Sequence, residues 1–205
     1  MRQNNKEHWD KVYSRNADQD VGWYQESPIT SIRLIEKYAV SKSDSIIDIG
    51  AGNSNLCREL VVLGYSNLTI LELSASGIER SKSKAHSISN KITFIEGNVL
   101  NEELCGPFNI WHDRAVFHFL WEESEIQAYL KQLTTHVSKD GIFILGAFAE
   151  NGPELCSGLP VNRQNPDKLK KTFEPTFRIL ESIFETHITP KGNQQEFLFS
   201  VFARN

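Results

Sequence analysis

Asp48, Gly50, Gly52 and Glu72 stand where a backbone turn and two carboxylates could receive a ligand. Gly50-Ala51-Gly52-Asn53-Ser54-Asn55 follows the β-branched run Ser45-Ile46-Ile47-Asp48-Ile49, and Leu56, Leu60, Val61 and Leu63 then recur at helical spacing before Gly64. A glycine turn between strand and helix lets backbone approach a ligand closely and aims free amides at it. Asn55 replaces the third glycine of the dinucleotide fingerprint, which disfavours nicotinamide and flavin cofactors. Glu72 closes the next strand-like run 22 positions after Gly50, close to the spacing of about 20 at which a carboxylate takes ribose hydroxyls. A nucleoside is favoured over a free phosphate.

Asp48 adds a negative charge that would repel a pyrophosphate and attract a sulfonium or an amino group; S-adenosylmethionine carries both. Further along, Asp113-Arg114 ends a strand-like run, and His118 lies one helical turn beyond. If an amine is the acceptor, Asp113 or His118 could orient it or take its proton. The pair Asp113-Arg114 could equally be a plain ion pair, and His118 a satisfied core histidine. Asn98 is open to turn chemistry or to a cofactor contact. Trp23, Tyr24, Phe117, Phe119 and Trp121 could be core or pocket wall; Trp23 is favoured for the wall, where an aromatic face suits a sulfonium. The remaining histidines, at 8, 86, 112, 136 and 187, share no metal spacing and read as structural or exposed, and the three cysteines, 57, 105 and 156, suggest neither a disulfide framework nor a zinc site. No metal is expected. Cys156 lies in a segment, 152–160, whose glycines and prolines argue against regular structure, and Lys168, Lys170 and Lys171 read as a solvated helical face.

The elements that must hold these residues alternate. Ser27-Pro28 reads as a cap and first-turn proline opening a helix to about residue 40. Strands are expected at 45–49, 68–73, 92–96, 108–112 and 142–148, with helices after the glycine turn, at 75–86, and around Ile126, Tyr129, Leu130, Leu133 and Val137. Alternating strand and helix implies a parallel sheet. Two last runs, 177–188 and 196–203, have only Thr189 to Gln195 between them, too short for anything but an antiparallel pair. The ligand crevice of such a sheet lies at the carboxyl ends of its strands.

With these residues in place, the chain resembles the class I S-adenosylmethionine-dependent methyltransferases. Ile46 to Gly52 looks like their first motif, Glu72 in Ile70-Leu71-Glu72-Leu73-Ser74 like their ribose-binding acid, and Gly97-Asn98-Val99 like their adenine loop, with Asn98 where most relatives carry aspartate. Ile110 to Ala115 is similar to the end of the fourth strand, where cofactor and acceptor meet. Trp9-Asp10-Lys11-Val12-Tyr13 and Gly22-Trp23-Tyr24-Gln25 look like segments that help cover the cofactor in the lysine-methylating methyltransferase-like proteins and, more loosely, in thiopurine methyltransferase. The resemblance implies a Rossmann-like α/β fold: a seven-stranded, mostly parallel sheet with helices on both faces and a C-terminal antiparallel hairpin. It implies S-adenosylmethionine as cofactor, held by Trp23, Asp48, Gly50, Ala51, Gly52, Asn53, Glu72, Leu73, Asn98, Val99 and Asp113. Asp113 and His118 are the candidate catalytic residues. The implied function is methyl transfer to a small molecule or a protein side chain; the alternative is an inactive cofactor-binding module serving as sensor or partner subunit.

Composition bounds these readings. The chain has 205 residues, 40% of them apolar and 23% charged, which suits one globular domain, with residues 1–40 as a helical cover and 41–205 as the core. A formal charge of −4 disfavours nucleic acid as substrate. A polar N-terminus argues against a secretory signal, and the longest apolar run, 141–149, is too short to span a bilayer. A cytoplasmic protein with no membrane partner is expected.

Overall fold

The computed structural model describes residues 4–85 and 89–205; His86 and the last position of the helix expected at 75–86 lie outside them. In chain order the elements are α1 (Asn4–Arg15), α2 (Ile29–Tyr38), β1 (Ile46–Ile49), α3 (Leu56–Val62), β2 (Leu68–Glu72), α4 (Ala75–Lys84), β3 (Ile92–Glu96) and β4 (Phe108–Arg114). They continue with α5 (Glu123–His136), β5 (Val137–Phe148), β6 (Leu155–Cys156), β7 (Leu159–Pro160), α6 (Pro166–Phe173), β8 (Phe177–Ile188) and β9 (Gln194–Arg204).

Seven strands form one sheet in the order β3-β2-β1-β4-β5-β9-β8. Five run parallel; β9 is antiparallel to β5, and β8 is antiparallel to β9. The expected sheet and its closing hairpin are both present. Strand order reverses between β1 and β4, and the carboxyl edge at that reversal is where a doubly wound sheet opens a crevice. Register places Asp48 beside Ile70 and His112, Ile49 beside Leu71 and Asp113, and Glu72 beside Glu96.

Side chains alternate across the sheet, so β1 feeds two cores. Ile46 packs with Ile70, Ile110 and Ile144 under Leu34, Ile35, Leu56 and Leu60 of α2 and α3. Ile47 and Ile49 pack with Trp111, Phe143 and Leu145 under Tyr129 and Leu133 of α5 and Leu169 and Phe173 of α6. Helix α3 has only seven residues, too few to persist alone in water. Its four buried side chains supply what propensity does not, at about 1.5–3 kcal/mol for each large apolar one.

The local pattern misleads at three places. Pro28 is the residue before the first turn of α2 rather than inside it, no side chain caps that end, and the helix stops at Tyr38. Residues 155–160 form a two-stranded hairpin despite their glycines and prolines, because Ser157 (φ +50°) and Gly158 (φ +78°) together make its left-handed tip. Finally, α5 passes directly into β5, whose first residue, Val137, pairs with Phe108 before a bulge restores register at Ile110 and Ile142. Among the described residues no helix is long and apolar enough to cross a membrane.

Candidate active site

The turn after β1 is left-handed at both glycines: φ is +62° at Gly50 and +52° at Gly52. Space excludes a side chain there as firmly as backbone does. A Cβ on Gly50 would sit 2.1 Å from Val116 Cγ2, and one on Gly52 would sit 2.0 Å from Tyr13 Oη. Glu72 ties this turn to the end of β2. One carboxylate oxygen accepts from the Gly52 amide at 2.8 Å and the other from the Ser74 amide at 2.9 Å. Burial pushes the Glu72 carboxyl up to about 7, against the pull of those amides.

A cover formed by α1 and the segment after it lies over the turn. Asp10 accepts from the Ser74 hydroxyl at 2.6 Å and the Ser76 amide at 3.3 Å, at the positive end of α4. Asp18 pairs with Arg80 at 3.0 Å and Lys84 at 2.7 Å. Asn53, fully buried, joins turn to cover: its carbonyl accepts from the Trp23 indole at 2.9 Å and its amide donates to Asp18 at 3.1 Å. Trp9, Trp23 and Phe119 meet edge to face, with Trp9 touching both others at 5.4–5.6 Å.

Beneath this cover is a half-open cavity. Gly50, Leu71, Glu72, Leu73, Gly97 and Val99 floor it; Trp9, Tyr13, Trp23 and Phe119 roof it. Cys156 and Arg114 reach it from the remaining side. A second cavity continues on the far side of Trp23 and Arg114, bounded by Pro28, Ser31, Asp48, Ala51, Asn53 and His112. In it the Asp48 carboxylate accepts from His112 Nδ1 at 2.7 Å, and His112 Nε2 shares a hydrogen bond with the Ser31 hydroxyl at 2.9 Å. Among the described residues, the second Asp48 oxygen is buried without a partner, as are Nε and Nη2 of Arg114. Burial lowers the Arg114 guanidinium to about 10, which keeps it charged at neutral pH.

Such unpartnered buried charges are a test of what fits. An adenosyl group suits a cavity with an acid at one end and aromatic walls; a ligand bearing both an amino group and a carboxylate suits a cavity that offers a free carboxylate oxygen and a free guanidinium edge. S-adenosylmethionine has both parts. A family profile described as a methyltransferase domain matches residues 40–197. The chain belongs to the class I S-adenosylmethionine-dependent methyltransferases.

Its relatives agree. The methyltransferase is 38% identical over 181 residues to EEF1A lysine methyltransferase 2 of Mus musculus, covering 76% of this chain and 74% of that protein. It is 31% identical over 156 residues to the Homo sapiens protein of the same name, covering 68% and 66%. The chain thus spans about two thirds to three quarters of these relatives' length. Among solved structures, one from work on conversion of a disulfide bond into a thioacetal group during echinomycin biosynthesis superposes with a TM-score of 0.78 at 18% identity, covering 98% of this chain and 93% of the other. A methyltransferase from Anabaena variabilis gives 0.74 at 14% identity, covering 98% and 93%. These two likenesses speak for the fold alone.

Within the methyltransferase, Trp23, Gly50, Glu72, Leu73 and Val99 line the first cavity, and Asp48, Ala51 and Asn53 line the second. Gly52 acts through its amide on Glu72. Asn98 lies beside the cavity with its carbonyl accepting from the Leu100 amide at 3.1 Å, a turn contact. Asp113 and His118 line neither cavity. Asp113 is fully buried on the opposite face of the sheet, accepting from the Tyr129 hydroxyl at 2.6 Å and from the amides of Val116 and Phe117 at 2.9 and 3.1 Å. His118 is fully buried too; its Nδ1 faces the Phe148 amide at 3.4 Å, and burial drives it down to about 3, so it is neutral. Both are therefore placed to position the backbone of 115–118, whose Ala115 (φ +74°) and Val116 line the first cavity. From sequence alone His112 reads as structural, and Trp9 and Tyr13 as general cover. Strand parity was the available signal for His112, since it shares a face with Asp48 across the β1–β4 register. Burial pushes the Cys156 thiol up to about 12, which keeps it from acting as a thiolate at neutral pH.

Proposed function

We propose that this methyltransferase acts on the side-chain amino group of a protein lysine, in the cytoplasm and as a single domain. The observation that carries the reading is the aromatic roof of the first cavity: Trp9, Tyr13, Trp23 and Phe119 give it a largely apolar lining, which suits the alkyl stem of a single extended side chain. The relatives that are lysine methyltransferases of EEF1A support the same acceptor class.

S-adenosylmethionine, when bound, supplies an activated methyl group on a cationic sulfur. Glu72, Leu73 and Val99 would hold its nucleoside, with Gly50, Ala51 and Asp48 at its other end. The chain's own work is alignment and exclusion of water. A lysine ammonium entering among four aromatic rings loses hydration, which lowers its pKa and favours the free amine that can accept a methyl group. Asp113 and His118 serve as positioning residues: they fix the 115–118 turn against which donor and acceptor are aligned.

Incubation with a radiolabelled methyl donor and fractionated lysate tests the acceptor class. Label is expected in protein, and in methylated lysine after hydrolysis. Label confined to the small-molecule fraction would overturn the reading.

A further inference from the structure

We propose that a groove on the outer side of the β6–β7 hairpin binds a cationic side chain, arginine above all, that neighbours the acceptor lysine in its own chain. The proposal rests on the lysine reading above and adds which lysines are chosen. Groove and first cavity share a wall. Cys156 lines the cavity and its strand neighbour Leu155 the groove; Phe119 lines the cavity and Trp121, two residues on, the groove. The Asn162 amide donates to the His118 carbonyl at 2.7 Å, and its side chain to the Leu120 carbonyl at 3.0 Å, which ties the two wall segments together.

Trp121 is 53% exposed and Leu155 56%. The Trp121 indole already donates to the Pro160 carbonyl at 3.2 Å, so the ring is fixed on the hairpin and offers solvent its electron-rich face. Such a face beside an exposed leucine marks a contact surface, and it suits either an apolar side chain or a cation on an alkyl stem. The charges decide between them. Glu150 and Glu154 line the groove with Arg163 and Lys168, and the exposed Glu122 and Glu123 follow Trp121. Four carboxylates against two cations leave a surplus of two negative charges. Arg163 is taken by Glu154 at 3.2 Å, and Lys168 by the Asn162 side chain and the Arg163 carbonyl. Glu150 accepts from the Asn165 amide at 2.6 Å and acts on Lys168 only at longer range. A carboxylate surplus beside an aromatic face favours a cation, and arginine over lysine, because a planar guanidinium stacks on the ring while its edge reaches a carboxylate. Leu155 then packs against the stem.

Synthetic peptides with one lysine, and an arginine stepped through the positions on either side of it, test this against matched sets carrying glutamine or leucine instead of the arginine. Arginine at one or two adjacent positions is expected to lower KM about 5- to 30-fold against glutamine, and to do so more than leucine does. Trp121→Ala is expected to remove the preference by raising KM, with kcat changed less than about twofold and S-adenosylmethionine affinity unchanged by calorimetry, the pattern of lost uniform binding. Trp121→Phe, which keeps a ring, should retain most of the preference, and Glu150→Gln should weaken it about 2- to 5-fold. Methylation with no preferred arginine position, a leucine preference equal to that for arginine, or a preference unchanged in Trp121→Ala would overturn the groove and leave the lysine reading standing. Methylation of no lysine peptide would overturn that reading and the groove with it. Should Trp121→Ala fail to give a cooperative thermal transition, the wild-type peptide comparison and Glu150→Gln decide.

Discussion

The amide of Gly52 donates to the buried carboxylate of Glu72 at 2.8 Å, so the turn after β1 and the end of β2 are held as one unit. The same carboxylate accepts from Ser74, which makes Glu72 a three-way tie between the glycine turn, β2 and the start of α4. A change there reaches the cavity floor and its frame together. Glu72→Gln replaces one acceptor oxygen with an NH₂ that must face a backbone N–H, a loss of about 1–3 kcal/mol. We expect cofactor affinity to fall at least tenfold by calorimetry, with a lowered Tm; unchanged affinity would remove Glu72 from the binding site.

Glu72 and His118 contribute to stability with opposite pH signs. The Glu72 carboxyl rises from 4.5 to about 7 on folding, so the folded state binds more protons between those values and the contribution is lost as pH rises through that window, at up to about 1.4 kcal/mol per pH unit. Imidazole His118 falls from 6.5 to about 3, so its contribution is present above 6.5 and is lost as pH falls towards 3. Urea unfolding of wild type, Glu72→Gln and His118→Gln at several pH values between 4.5 and 7 checks this. The wild type should lose ground against Glu72→Gln as pH rises and gain it against His118→Gln; parallel curves would show that neither group titrates as described.

Asp113 accepts from three donors in a fully buried site. Asp113→Ala strands the Tyr129 hydroxyl and two amides, for an expected loss of about 3–5 kcal/mol in unfolding free energy. Tyr129→Phe, which removes one of the three donors, should lose about 1–2 kcal/mol and lower turnover without shifting the pH profile of kcat. A profile displaced by a unit or more in Tyr129→Phe would return Asp113 to a proton-transfer role.

Gly52→Ala should release the cover. Its Cβ would sit 2.0 Å from Tyr13 Oη on a backbone at φ +52°. The strain is relieved most simply by lifting α1. Limited proteolysis should cut within residues 4–25 several times faster than in wild type, and uniform protection would show that α1 is held without that contact.

Much of the site was legible from spacing alone, because Asp48, Gly50 and Glu72 belong to a single strand-turn-helix-strand unit whose geometry is local. Arg114 and Asp113 were legible as a strand end but not as two different faces. Their parity becomes readable only once β1 and β4 are known to pair with Asp48 opposite His112, a register set 64 residues apart along the chain. Asn53 reads as a ligand contact from its place in the turn, and it lines the second cavity. Its partners, Asp18 and Trp23, come from the cover, and nothing near Asn53 announces them. The hairpin at 155–160 escaped notice because its two residues per strand are too few to show a period.

The cover is made first and completed last. Asp10 is joined to Ser74, Lys6 to Glu96, and the Gly22 carbonyl to His187 across 165 residues of sequence. During synthesis α1 leaves the ribosome long before any of these partners exist, and its Trp9 lacks Phe119 until the chain beyond β4 has been made. Contacts of such high sequence separation form late, so the ability to enclose a cofactor is acquired at the end of folding, when the C-terminal hairpin has docked.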